Sequence, residues 1–175
     1  WAKGHNINGQ PADPWHLDIL AGAGAINSTG ADMLRYLEAN MGRGNGALQR
    51  AMRLAQKPRR TVGENERIGL AWMTRHDTDG DVVWHNGMTG GYASFMGFTA
   101  DGRRGVVILT NVARDIDDLG FATLLADAPL APALKAIAMT PKQLDAYVGE
   151  YQLAPGFILS VFRVGDQLNA RATGQ

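Results

Sequence analysis

Several features are missing from this chain of 175 residues, and each absence excludes a class of protein. It has no cysteine, which excludes disulfide scaffolds, thiol catalysis and cysteine-ligated zinc. No apolar run approaches the roughly 20 residues that span a bilayer. The 17 basic and 17 acidic residues balance, so net charge favours neither nucleic acid nor an anionic membrane surface as a partner. No His-Glu-x-x-His motif occurs, and we predict no metal site and no cofactor.

The two ends of the sequence look like cut points. Residue 1 is Trp rather than Met, and the sequence stops just after an alternating, strand-like stretch. A strand with no partner after it leaves an unpaired edge, which is a template for pairing with another chain. We therefore expect a longer parent protein, and we expect this chain to self-associate through an unpaired sheet edge.

The period of the apolar residues changes from helical to strand-like along the chain. Helical spacing predicts helices over 28–41 and 47–56, with Ser28 as the N-cap of the first. Alternation with β-branched and aromatic residues then predicts strands. These lie at 68–74, 81–84, 92–99 and 105–111, and a helix follows at 115–125. Two helices, an antiparallel meander and a further helix predict an α+β fold, with helices flanking an antiparallel sheet.

Composition divides the chain into three predicted parts. Residues 1–127 carry the helices and the meander, and the Ala- and Pro-rich stretch 128–140 is typical of a linker. Thr140 and Pro141 then form a helix-start signature, an N-cap followed by Pro at the first helical position. Short strand-like runs follow. Because roughly 35 residues bury too little surface to fold alone, we predict that 141–175 begins a second, β-rich domain.

The segment 82–94 combines a strand-like run, a His-x-Gly sequence and a glycine-rich stretch. Acyl transfer needs backbone N–H groups held in place to stabilise the oxyanion of the transition state. Glycines permit the tight turn and the close approach of substrate that this requires. His85 can bind a substrate carboxylate or assist proton transfer, and Asn86 can add a hydrogen bond. A plain hairpin explains the same residues, because Asn-Gly between strand-like runs is itself a strong hairpin signal.

Four segments, in order, resemble the serine β-lactamase and penicillin-binding-protein superfamily, in particular its class C β-lactamase and esterase branch. They are 21–33 for the Gly-rich loop and following helix, 68–72 for the Tyr-Gly-Leu-Gly-Trp strand, 85–92 for the Lys-Thr-Gly or His-x-Gly motif, and 106–111 for the next strand. Residues 144–151 resemble the opening of the β-barrel-like domain often appended to such hydrolases. The resemblance implies an incomplete β-lactamase/transpeptidase-like fold and a periplasmic or secreted location.

The resemblance also implies roles for individual residues. His85 takes the third-motif position and contacts substrate, Gly87 allows the turn, and the backbone N–H of Met88 is a catalytic oxyanion donor. The implied substrate-binding residues are Asn86, Gly87, Thr89 and Gly90. His in place of Lys at position 85 favours an esterase or peptidase-like member over a dedicated β-lactamase. The implied substrates are small molecules: β-lactams, carboxylic esters or D-amino-acid peptides.

The family's nucleophile and general base have no counterpart in this sequence. The nucleophile is the Ser of Ser-x-x-Lys, where the amine lies one helical turn away and can activate the hydroxyl. Neither Ser-x-x-Lys nor Tyr-x-Asn occurs here. In the family both motifs precede the matching region, so we predict the C-terminal portion of a serine hydrolase that is inactive alone. The alternatives are a non-catalytic ligand-binding or assembly module that keeps the fold, and a structural domain in which His-x-Gly is only a hairpin.

Overall fold

The computed structural model describes residues 2–42, 46–125 and 137–173 and divides the chain into two compact units, Trp1–Ala131 and Pro132–Gln175. The predicted boundary after residue 127 and residues 128–136 of the predicted linker lie outside the described residues. Among the described residues, no helix combines the length and the apolarity that crossing a membrane requires.

A six-stranded antiparallel sheet forms the centre of the first unit, and each strand pairs with the next along the chain. The strands are β1 (Arg60–Thr61), β2 (Glu66–Ile68), β3 (Met73–Arg75), β4 (Val82–Thr89), β5 (Tyr92–Thr99) and β6 (Gly105–Thr110). The helices are α1 (Ala21–Gly24), α2 (Gly30–Asn40), α3 (Ala47–Gln56) and α4 (Asp117–Leu124), and a short 3-10 turn over Asp18–Leu20 precedes α1. Both α2 and α4 pack against β5 and β6, which confirms the predicted α+β fold.

Two hydrophobic clusters join this sheet to its helices. The first cluster is Val82, Trp84, Phe95, Phe121, Leu124 and Leu125, on the side of α4. The second is Leu37, Trp72, Val83 and Phe98, on the side of α2. Successive residues of a strand point to opposite faces of the sheet. Even-numbered residues of β4 therefore lie on the α4 face, and odd-numbered residues lie on the α2 face.

Close approach of α4 to the sheet requires glycine at position 120. A side-chain carbon there would overlap the ring of Phe95, which is completely buried. Phe121, the next residue of the helix, packs edge-on against Phe95 and Trp84, with ring centroids 5.3 and 4.8 Å away. Aromatic pairs at these distances add to the stabilisation that apolar burial provides. The same contacts fix the position of the first turn of α4 beside β4.

The prediction of one strand over 68–74 is wrong, because the chain reverses within it. Gly69 lies against the end of α3, where a side chain would overlap the carbonyl oxygen of Ala55, and Leu70 N donates to that oxygen at 2.7 Å. Ala71 has a φ of 69°, in the left-handed region, and Gly69 N donates to Trp72 O at 2.8 Å. The alternating residues therefore form two short strands, β2 and β3, joined by a tight turn.

Two further details of the N-terminal half differ from the predictions. Thr29, not Ser28, is the N-cap of α2, and its hydroxyl oxygen accepts from Asp32 N at 3.2 Å. Residues 1–25 show little periodicity, which predicts a loop, but this segment contains α1 and the 3-10 turn. The helix predicted over 47–56 is confirmed as α3, and α4 confirms the helix predicted over 115–125 within two residues at its start.

The second unit consists of one helix and a three-stranded antiparallel sheet. Its elements are α5 (Pro141–Asp145), β7 (Gly149–Ala154), β8 (Phe157–Val164) and β9 (Gln167–Thr173). Thr140 forms a capping box with Gln143, and Pro141 occupies the first turn, as the sequence predicts. Arg163 Nε of β8 donates to Asp145 Oδ1 at 2.6 Å, which joins the helix to its sheet.

Replacing Ala71 by Gly should stabilise the protein. The left-handed φ of Ala71 is costly for a residue with a side chain, and Ala71 is exposed, so the change removes no buried contact. We expect a gain of about 1 kcal/mol in the free energy of unfolding, measured by urea denaturation. Ala51→Gly in the exposed face of α3 is the matched control and should lose about 1 kcal/mol. A loss at both positions would contradict the strain at Ala71.

Candidate active site

The residues predicted for the site, 85–90, lie at the C-terminal end of β4 and in the turn that follows. The prediction that the strand ends at Trp84 is wrong, because β4 continues to Thr89 and pairs with β5 along its whole length. The His-x-Gly sequence is therefore part of a strand. Gly90 and Gly91 make the reversal, and Gly91 has a φ of 80° that favours glycine.

The N-terminal segment of the chain covers this turn. A side chain at Gly90 would overlap the carbonyl oxygen of Asp13 and the ring of Trp15. A side-chain carbon on Gly91 would lie 2.7 Å from the Cα of Gly4, which is too close for a real contact. Both glycines of the turn are therefore required by the backbone that packs on them, as well as by the reversal itself.

Several hydrogen bonds hold the N-terminal segment against the ends of β5 and β6. Tyr92 Oη donates to Ala2 O at 2.8 Å, and Asn111 Nδ2 donates to Lys3 O at 2.8 Å. His5 N donates to Asn111 O at 2.9 Å. The start of the first unit thus depends on residues that lie about 90 to 108 positions later in the sequence.

Strand β4 extends beyond its neighbour β3, which pairs with it only as far as Trp84. Alternate residues of an antiparallel strand direct their backbone groups to the same side. Ala100 N donates to Asp81 O at 2.8 Å, so the odd-numbered residues of β4 face β5 and the even-numbered residues face β3. Asn86 and Met88 therefore direct their backbone N–H groups to a side where no described strand pairs with them.

The side chains of the predicted site are divided between the two faces of the sheet. Asn86 and Met88 lie on the α4 face, and both are exposed. His85 lies on the α2 face, where it is also exposed, and its Nδ1 donates to Asn86 O at 2.5 Å. That bond engages Nδ1, so Nε2 is the ring nitrogen that remains available to a substrate. Thr89 shares this face, and a side-chain carbon on Gly24 of α1 would lie 3.8 Å from it.

A carboxylate that the sequence analysis did not identify binds the side chain of Asn86. Asn86 Nδ2 donates to Asp117 Oδ2, at the start of α4, over 2.7 Å. Partial burial and then the charge of Asp115 raise the pKa of Asp117 above its ordinary value, against the opposing effect of the hydrogen bond from Asn86. The order of the strands could have indicated that Asn86 and Asp117 lie close together. Strands β4 and β6 run in the same direction, so residues after β6 reach the C-terminal half of β4.

A small cavity lies between β4 and the start of α4. It has a volume of about 40 Å³, and its lining includes Asn86, Met88, Arg114, Asp115 and Asp117. Binding sites for drug-sized ligands enclose roughly 300 Å³ or more. The described residues therefore provide one wall beside β4, and the cavity that they enclose is too small for a substrate.

A larger depression of about 420 Å³ lies at the opposite end of β4. It is lined by Asn65, Arg75, His76, Asp77 and Thr78. Within it His76 Nδ1 lies 2.6 Å from Asp81 Oδ1, and Arg75 is engaged by the carboxylate of Asp77 at 3.4 Å. None of the motifs singled out in the sequence contributes to this depression, so the candidate site remains the C-terminal half of β4.

Comparison with known proteins supplies a family match and a set of similar folds. The family model described as Beta-lactamase matches residues 2–128 of this chain, which is the larger part of it. No curated protein matches the sequence.

Solved structures share the fold of this chain at low sequence identity. The beta-lactamase/D-alanine carboxypeptidase from Pseudomonas syringae is 23% identical with a TM-score of 0.62, over 74% of this chain and 46% of that one. The D-alanine carboxypeptidase AmpC from Burkholderia cenocepacia is 21% identical with a TM-score of 0.62, over 70% and 44%. A class C beta-lactamase mutant is 22% identical with a TM-score of 0.60, over 66% and 40%. The chain spans less than half the length of these structures.

Replacing Asp117 by Asn should stabilise the protein at neutral pH and lose that effect in acid. Folding raises the pKa of this carboxyl, so the folded state binds the proton more readily than the unfolded state does. Above the folded-state pKa the charged carboxylate therefore lowers the free energy of unfolding, and below the unfolded-state pKa this penalty disappears. Asparagine removes the charge and keeps an oxygen that accepts from Asn86. We expect the melting temperature of Asp117→Asn to exceed that of the wild type near pH 7 and to converge with it below about pH 4.

The matched control for this prediction is Asp118→Asn, because Asp118 is the exposed neighbour on the same helix. The difference in melting temperature between Asp118→Asn and the wild type should not disappear below about pH 4 in the same way. A melting-temperature difference for Asp117→Asn that is constant across the pH range would contradict the raised pKa.

Proposed function

The chain belongs to the beta-lactamase family, and we propose that it is the C-terminal portion of a serine hydrolase that acts through an acyl-enzyme. The observation that supports this most is the open side of β4, where the backbone N–H of Met88 has no partner strand among the described residues. Substrates of such an enzyme are β-lactams, carboxylic esters or D-amino-acid peptides. The nucleophile is proposed to lie outside these 175 residues, because they contain no Ser-x-x-Lys.

The backbone of Met88 is suited to stabilising an oxyanion. A strand held in register by β5 along its whole length fixes the N–H direction before any substrate arrives. Preorganised donors of this kind are effective because they need no reorganisation when the tetrahedral intermediate forms. Gly87 has no side chain, so a substrate can approach the backbone of β4 closely at this position. A second donor would come from the nucleophilic serine itself, as in the family that the motif resembles.

His85 and its neighbours are proposed to bind and orient the substrate. The Nδ1 of His85 is held by Asn86 O, so the ring presents Nε2 to a substrate oxygen or a proton in transfer. Asn86 lies on the opposite face with its amide directed at Asp117. Thr89 and Gly90 border the site where α1 and the N-terminal segment approach. The absence of Lys at position 85 supports an esterase or peptidase-like activity.

The remaining parts of the proposal concern the context of the chain. We propose that residues 1–127 form the C-terminal part of the hydrolase domain, with 128–140 as a linker. Residues 141–175 are proposed to begin a β-barrel-like domain, which fits the helix and three-stranded sheet of the second unit. A periplasmic or secreted location is proposed from the resemblance to the family.

We expect the parent protein to carry Ser-x-x-Lys, followed by Tyr-x-Asn or Tyr-x-Ser, before residue Trp1. The longer protein should then form a covalent adduct with an activated ester, detected as an acyl mass on the intact protein. His85→Ala should lower kcat/KM by about a hundredfold, because it removes a hydrogen-bonding or proton-transfer group. His76→Ala, at the opposite end of β4, is the control and should retain activity.

Two results would contradict this proposal. One is a parent sequence with neither motif, which would favour a non-catalytic module that keeps the fold. The other is robust hydrolysis by the isolated 175-residue chain, since that chain has no Ser-x-x-Lys. Unchanged activity of His85→Ala in the parent protein would reduce the role of the His-x-Gly sequence to that of a hairpin.

We also expect the isolated chain to self-associate through the edge of its sheet. Within the described ranges β6 pairs only with β5, and Ile19 and Ile26 are 98% and 83% exposed. Sedimentation velocity should detect dimers or larger species that Leu109→Lys in β6 reduces, because lysine at a strand edge opposes pairing. Leu54→Lys in exposed α3 is the matched control. A clean monomer at high concentration would overturn this expectation.

A further inference from the structure

The open side of β4 is bordered by negative charge. Asp115 and Asp117 line the same small cavity as Asn86 and Met88, on the α4 face of the sheet. Asp117 Oδ2 accepts from Asn86 Nδ2 at 2.7 Å, so this carboxylate contacts the residue two positions before Met88, the proposed oxyanion donor. Asp115 Oδ1 accepts from Asp117 N at 2.9 Å, which fixes the second carboxylate beside the first.

We infer that Asp117, together with Asp115, restricts the enzyme to neutral substrates and disfavours those that carry a carboxylate close to the scissile carbonyl. This inference rests on the proposed function, because it assigns the substrate class of that same site. The chemical consequence is a choice among the three candidates. β-Lactam antibiotics carry a carboxylate beside the ring nitrogen, and D-alanyl peptides end in one, whereas simple carboxylic esters carry none.

The physical basis is charge repulsion at short range. A substrate carboxylate seated over Asn86 and Met88 would lie near two negative charges. Asp117 is partly buried, so its charge is screened less than a charge at the open surface, whereas Asp115 is exposed and its effect is weaker. Arg114 lines the same cavity and supplies one positive charge against these two, but it is exposed, and nothing described fixes its side chain. The amide of Asn86 could otherwise bind a substrate carboxylate, and it is already engaged by Asp117.

The experiment compares a matched pair of esters on the full-length parent protein. The pair is meta-carboxyphenyl acetate and its methyl ester, which differ in one negative charge on the leaving group. The assay is run at about pH 8, which is well above the ordinary pKa of a carboxyl. We expect the wild-type protein to favour the methyl ester in kcat/KM. Asp117→Asn should raise the ratio of carboxylate to methyl ester by about fivefold, and Asp115→Asn should raise it in the same direction.

Asp118→Asn is the matched control, because it removes the same charge from the same helix but does not line the cavity. It should change the ratio by less than about twofold, since exposed charges are screened by salt. An equal effect at Asp118 would overturn the inference, because it would show a general effect of net charge. A ratio unchanged in both Asp117→Asn and Asp115→Asn, with both esters hydrolysed, would overturn it while leaving the proposed function standing.

A measurement on the wild-type protein covers the case in which a variant fails to fold. Raising the salt concentration should narrow the preference for the methyl ester, because counterions weaken the repulsion. A preference that is independent of salt would contradict the inference. Hydrolysis of neither ester by any form of the parent protein would contradict the proposed function and this inference together.

Discussion

Contact between three aromatic rings sets the geometry on which the candidate site depends. Trp84 and Phe95 stack on adjacent strands with centroids 5.7 Å apart, and Phe121 of α4 packs edge-on against both. The glycine at position 120 lets the helix approach closely enough for this contact. Because α4 is fixed there, its first turn lies beside the part of β4 that extends beyond β3. The site thus combines strand β4, which extends beyond β3, with the first turn of α4, which aromatic packing holds in place.

Much of this fold could be predicted from local patterns, because periodicity reports which faces are buried. The helix Ala47–Gln56 and the strand Tyr92–Thr99 have the bounds that the sequence predicts. The error at 68–74 has a different origin. Alternation continues through that segment, but the chain reverses at Gly69, where it packs against the end of α3. The positive φ of Ala71 could not be predicted from the sequence, because alanine rarely adopts that conformation.

The candidate site shows the same division between local and non-local information. A His-x-Gly sequence followed by a Gly-Gly pair indicated the relevant strand and turn, although the strand ends five residues later than predicted. The bond between Asn86 and Asp117 joins residues 31 positions apart, and no local pattern encodes it. Nor could periodicity show that β3 pairs with β4 only as far as Trp84, since that depends on the length of the neighbouring strand. The lengths of the strands and the position of α4, which local patterns do not encode, therefore determine which groups of the candidate site lie together.

The cover over the Gly90–Gly91 turn has a consequence for biosynthesis. His5 and Asn111 are joined across 106 residues, and Gly4 packs directly on Gly91. At a translation rate of 5 to 20 residues per second, Asn111 leaves the ribosome roughly 5 to 20 s after His5. During that interval His5 lacks its partner Asn111, whereas β4 and β5 can pair as soon as both are released. The cover of the turn is therefore completed only after Asn111 has been synthesised.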